Sequence, residues 1–198
     1  MRNKVYIFTG LTSSCMIIHL YVMMPNIGLL TAAYGISDTD FYSKLGIYMP
    51  LFGIVGGIFY SIILTRYSGK MMLGAFSVII GSIASLAFFY YVDSLADRTL
   101  LCVASSLIGF FAFSFLFIAF ELAVGQTVSD GVGDTMSCGI IVSFSSTIAF
   151  AVDLSLTLLL TKETKEATGI SFVIIFANLC FALVFLILSS ISDSKLAS

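Results

Sequence analysis

Residues 99–124 read TLLCVASSLIGFFAFSFLFIAFELAV and carry one charged side chain, Glu121. A helix rises 1.5 Å per residue, so a run of this length matches the roughly 30 Å hydrocarbon layer of a bilayer. Five more stretches of the same kind follow the chain at 5–34, 44–65, 71–92, 136–160 and 169–191. Composition agrees: hydrophobic residues make up 59% of the 198 positions and charged ones 10%, with a mean hydropathy of +1.10. An average soluble domain carries about 25% charged residues. A transmembrane barrel needs alternating segments of about ten residues, and these runs are too long and too uniform for that. Helices satisfy their backbone groups internally, so they are the natural spanning element. The sequence therefore predicts an all-α polytopic membrane protein: residues 1–198 as a single six-helix transmembrane domain.

The short polar breaks between the runs hold glycine, serine and charge, as turns at the headgroups do. Arg2 and Lys4 precede the first run, but its length and the lack of a small-residue cleavage signature argue against a cleaved signal peptide. Those two basic residues before the run, with Asp38 and Asp40 after it, place both termini in the cytoplasm. The wider count is nearly even. Arg2, Lys4, Arg66, Lys70 and Lys195 would lie inside, against Lys44, Arg98, Lys162 and Lys165 outside. A formal charge of −2 gives no ground for a nucleic-acid partner. Cys15, Cys102, Cys138 and Cys180 all fall within runs at no metal spacing and read as small packing residues.

Ionisable groups within a bilayer are costly and mark sites for attention. His19, Glu121 and Asp153 are the candidates. Thr12, Met16, His19, Met23 and Asn26 share one face of the first helix by their spacing. Gly139, Ser143, Ser146, Phe150, Asp153 and Thr157 share one of the fifth, and Ser106, Phe110, Phe113, Phe117 and Glu121 one of the fourth. Together these faces outline a cavity, in which His19, Met23, Asn26, Phe113, Phe117, Ser143 and Ser146 would contact a solute. Aromatic faces attract cations by about 0.5–2 kcal/mol. The competing reading is structural: serines bond their own helix and phenylalanines face lipid. Glu121 is expected to pair with Arg66 or Lys70 of the neighbouring loop, in a gating or structural role, and Asp153 to meet water near its helix end. Pro25 and Pro50 are expected to interrupt or kink their helices, while Gly53, Gly56 and Gly57 invite close helix approach. No His or acidic cluster has metal-ligand spacing, and no Gly-x-Ser-x-Gly sequence is present. Neither a cofactor nor enzymatic activity is expected.

The segment LIGFFAFSFLFIAFELAVGQTVSDG, residues 107–131, resembles the tenth helix and following loop of a transporter family. That family is the feline leukaemia virus subgroup C receptor-related group of the major facilitator superfamily. The likeness rests on Leu107, Gly109, Phe110 and Phe111, then Phe120, Glu121, Ala123 and Val124, then Thr127 and Asp130–Gly131. Gly53 to Lys70 is similar to the eighth helix and its basic loop, so the six runs would match helices seven to twelve. There are departures. Thr65 stands where the family has an Asp that helps latch the closed states, and Ser61 where it has a Gly. Val142 replaces a Gln of the cavity, and an expected aromatic falls at or near His19 and Tyr21. The resemblance implies transport of a small organic solute (a choline- or ethanolamine-like amine, haem or a vitamin-like compound) by alternating access. With no evident proton relay, facilitated diffusion is favoured. Such transporters bind solute between two six-helix halves, so this chain would require a homodimer or a missing amino-terminal half. The alternative is a non-transporting membrane scaffold built from the same bundle.

Overall fold

The computed structural model describes residues 2–36, 38–66, 70–92, 97–127, 133–161 and 164–197. Six helices follow in order: α1 (Arg2–Ala32), α2 (Thr39–Arg66), α3 (Lys70–Tyr90), α4 (Arg98–Thr127), α5 (Asp134–Leu160) and α6 (Lys165–Ala197). The described fold is all-helical, and each of the six helices is long and apolar enough to cross a membrane. That is the coarse architecture the hydropathy predicts.

The boundaries differ in instructive ways. The second run was expected to start at 44, yet α2 begins at Thr39. Asp38 Oδ1 accepts hydrogen bonds from the amides of Asp40 (3.1 Å) and Phe41 (3.3 Å), which satisfies two donors that a helix start leaves open. Asp97 does the same for α4, accepting from Thr99 and Leu100, and the Thr164 hydroxyl accepts from Ala167 at the start of α6. At the other end of α1 the chain reverses through Gly35, whose φ of 82° suits a residue without Cβ. Pro25 and Pro50 both sit inside continuous helices, so neither interrupts its helix.

Charge pairs tie the ends. Where α1 leads into α2, Arg98 donates to Asp38 Oδ2 at 2.8 Å and lies 5.4 Å from the Phe41 ring, while Lys165 lies 5.2 Å from the Tyr34 ring. The Phe41 amide and then the Arg98 guanidinium hold the Asp38 carboxyl below its usual range. A carboxylate depressed in the folded state stabilises fully above its unfolded pKa, about 4, and loses that contribution as pH falls through the depressed value. The thermal midpoint of the wild type should therefore fall more steeply below about pH 4 than that of Asp38→Asn. Parallel curves for the two proteins would refute this linkage.

Helix pairing follows a pattern. α1 packs on α4, α5 and α6; α4 packs on α1, α2 and α3; and α3 packs on α6. Exchanging α1–α2–α3 with α4–α5–α6 maps each of these pairs onto another or onto itself. A triplet crosses three times, so the second triplet would begin on the opposite side of the membrane, as inverted repeats do. α1 is the most buried helix, with 61% of its apolar window buried, against 28% for α2 and 22% for α5. The surface left for lipid or a partner is thus concentrated on α2 and α5.

The tightest seam joins α2 to α4. A Cβ at Gly109 would overlap the Met49 carbonyl oxygen and lie 2.7 Å from its carbon; one at Gly56 would overlap the Phe110 carbonyl oxygen. Ser105 adds a hydrogen bond across the seam to the Leu45 carbonyl at 3.2 Å. Small residues let membrane helices approach until backbone meets backbone. The glycines of the second run serve this packing role.

Candidate functional site

The α1 face defined by Thr12, Met16, His19, Met23 and Asn26 exists, but it points into the bundle: none of the five is more than 2% exposed. Met16 and Met23 belong to the packed core. Met23 therefore fills space between helices instead of lining an open cavity.

Asn26 is the hub of a polar cluster that joins α1 to α5. Its amide nitrogen donates to the Val22 carbonyl (3.0 Å) and to Asp153 Oδ1 (2.6 Å), and its Oδ1 accepts from the Thr157 hydroxyl (2.9 Å). Asp153 is half-buried and lies seven residues before the end of α5, roughly 10 Å along the helix. The expectation that Asp153 simply meets water is corrected: α1 holds it in place. This carboxylate is the site residue that sequence reasoning undervalued. The signal was available, because Asp153 and Thr157 are one turn apart on the same stripe.

His19 sits between α1 and α3. Its Nε2 lies 3.2 Å from Ser85 Oγ, and Ser85 in turn donates to the Gly81 carbonyl at 2.9 Å. The ring tautomer decides which of the two, Ser85 Oγ or His19 Nε2, donates in this contact. His19 Nδ1 is buried and has no hydrogen-bond partner.

The remaining candidates lie elsewhere. Phe113 and Phe117 rest on Gly53 and Gly57 at the α2–α4 seam, with Phe117 47% exposed. Ser143 is exposed and Ser146 half-buried on α5. The serine that meets α1 is Ser145, whose hydroxyl is 2.7 Å from that of Ser14. The seven expected solute contacts are thus not gathered into one pocket. At the opposite end of the bundle Lys70 donates to Glu121 at 2.7 Å, clamping α3 to α4, while Arg66 ends α2 exposed. Both partners of that pair are partly exposed, which limits it to about 0–1 kcal/mol. Nearby, Thr127 joins α4 to α5 through Ser137 at 2.6 Å. Asp130–Gly131 of the quoted motif, together with Tyr67 and Lys162 and the side chains of Arg2 and Lys195, lie outside the described residues.

Among the described residues no three His, Cys, Asp or Glu side chains converge as a metal site would need. What the arrangement offers chemically is a half-buried carboxylate on α5, held by the Asn26 amide that the Thr157 hydroxyl orients in turn, and suited to a cationic group. No family model matches the chain, and no curated protein matches it either.

Proposed function

We propose that the chain is one six-helix unit of a solute transporter of the major facilitator kind, moving a small organic cation by alternating access. The observation that carries this reading is the three-plus-three exchange symmetry of the helix pairs, an arrangement characteristic of a transporter half. The likeness to the feline leukaemia virus subgroup C receptor-related family favours a choline- or ethanolamine-like amine, and Asp153 supplies the matching charge. α2 and α5, the least buried helices, offer the surface on which a second unit would sit. That unit is a second copy of this chain or a separate amino-terminal half.

The test is reconstitution of the purified chain, alone and with an amino-terminal half, into vesicles. Mass in nanodiscs and uptake of labelled choline and ethanolamine are then read together. Two copies per particle with uptake above empty vesicles is the expected result. Uptake equal to empty vesicles in both preparations refutes transport.

One observation favours a static scaffold instead. The Thr65 hydroxyl bonds its own helix at Ile62 (2.7 Å), where the resembling family places a carboxylate that latches the closed states. A particle that captures a partner on crosslinking but moves no solute would fit that second reading.

A further inference from the structure

A groove of about 650 Å³ runs along the α2–α4 seam, lined by Tyr48, Phe52 and Val55 of α2 and by Cys102, Ser106 and Phe110 of α4, among others. That volume falls in the range of small-molecule sites, about 300–1,000 Å³. α2 and α3 barely touch, so the groove opens toward the bilayer between them. Val55 and Val103 on its walls are each 50% exposed. Rings close its far end: Phe110 meets Phe59, Tyr60 and Phe111, and Phe111 meets Phe76.

The near end carries charge. Lys44 is exposed and close enough to Cys102 to act on its thiol electrostatically. The ion pairs among the described residues are Lys70–Glu121 and Arg98–Asp38, and neither uses Lys44, although Asp40 precedes it by one turn. Lys44, Tyr48, Phe52, Val55 and Phe59 step by four, four, three and four, so they share one face of α2. Down that stripe a cation comes first, a phenol next, and only apolar side chains after. Val55 lies eleven residues beyond Lys44, about 16 Å along the helix. One leaflet supplies a similar depth, about half of the roughly 30 Å hydrocarbon layer.

We infer that this groove binds an anionic phospholipid of the surrounding leaflet, its phosphate on Lys44 and one acyl chain along Tyr48, Phe52 and Val55 as far as the rings. Charge selects the occupant. Lys44 repels an amine cation, and a neutral hydrocarbon would leave its ammonium without a counter-charge. A lysine keeps its stem on apolar surface while its head reaches the headgroups, and each basic residue near an anionic leaflet adds to the attraction. Ile47, Leu51, Ile54 and Ile58 form a separate exposed stripe on α2 and stay available to a second six-helix unit. The lipid site therefore stands apart from the Asp153 cluster and does not depend on the transport reading.

The test places the full chain in phosphatidylcholine nanodiscs with a trace of phosphatidylglycerol that carries a photoactivatable group on one acyl chain, the labelled peptides being mapped by mass spectrometry. Labelling is expected to concentrate on α2 and α4 and to be competed by unlabelled phosphatidylglycerol. A phosphatidylcholine probe with the same reactive chain should label them about fivefold less, the scale of one basic residue at an anionic surface. Lys44→Gln should lower phosphatidylglycerol labelling by a similar factor, and Lys44→Arg should restore it. Val55→Trp fills the groove from a half-exposed position and should remove labelling of α2 and α4, while Ile54→Trp on the other stripe should leave it in place. Both tryptophan variants should still elute as folded particles. Labelling spread evenly over all six helices, equal labelling by the two probes, or wild-type labelling in either Lys44→Gln or Val55→Trp overturns the proposal. So does competition by a free fatty acid as effective as that by phosphatidylglycerol.

Discussion

Gly109→Ala is expected to be among the most damaging single-methyl additions this chain can receive. Its new Cβ would overlap the carbonyl oxygen of Met49, a backbone atom fixed within α2. A side chain in the way can change rotamer; a helix carbonyl cannot, so α2 and α4 must separate along the seam. Overpacking of a well-packed interior costs about 1–3 kcal/mol, and a backbone collision belongs at the upper end. For a chain of this size that corresponds to a fall in thermal midpoint of about 6–12 °C. Gly56→Ala meets the Phe110 carbonyl and should behave alike. Gly53→Ala and Gly57→Ala meet the rings of Phe113 and Phe117 and should cost less, because a half-exposed ring can swing aside. Gly139→Ala, with nothing within 4 Å of its Cβ, should leave the midpoint unchanged. Fluorescence-detected thermal unfolding in detergent orders the series. Equal midpoints across all five variants would mean that the α2–α4 seam does not hold the bundle together.

The number of helices and their approximate limits could be read directly from hydropathy, because a bilayer demands length and apolarity and little else does. The N-caps were equally available: Asp38, Asp97 and Thr164 each precede a helix start, and capping residues compete well against the apolar signal at a boundary. What the sequence hid was which face of each helix turns inward. In water, polarity marks the outside. In lipid, a hydrocarbon tail is as apolar as a leucine core, so both sides of a helix carry similar residues. Met16 and Met23 are core residues on that account, although their stripe could equally have faced a cavity. The same ambiguity exchanged Ser143 for Ser145, a shift of two residues that moves the side chain some 200° around the helix. Polar residues carry the only directional signal. Even that fails when the partner is on another helix, as with Asn26 and Asp153, separated by 127 positions in sequence.

Asp153→Asn is expected to reduce uptake of a cationic solute about tenfold or more, equivalent to at least 1.4 kcal/mol of lost interaction, while leaving the folded particle intact. A carboxylate within a spanning helix is costly, up to about 2.5–3.5 kcal/mol at the centre, so removing the charge alone gives the fold no reason to fail. The replacement also keeps a carbonyl oxygen where Asp153 Oδ1 now accepts from Asn26, at 2.6 Å, and leaves the Thr157 to Asn26 bond undisturbed. Geometry is conserved and charge is lost, which makes this variant a test of electrostatics and not of packing. Asp153→Glu retains the charge one methylene further out and should recover part of the uptake. Asn26→Ala should behave differently from both: it removes the donor to Asp153 and the acceptor for Thr157 together, so the thermal midpoint should fall along with transport. Uncharged solutes of similar size provide the decisive control, since the loss in Asp153→Asn should be confined to cations. Wild-type uptake of cations in Asp153→Asn would reduce the carboxylate to a structural strap between α1 and α5, and the charge that selects the solute would have to come from the second six-helix unit.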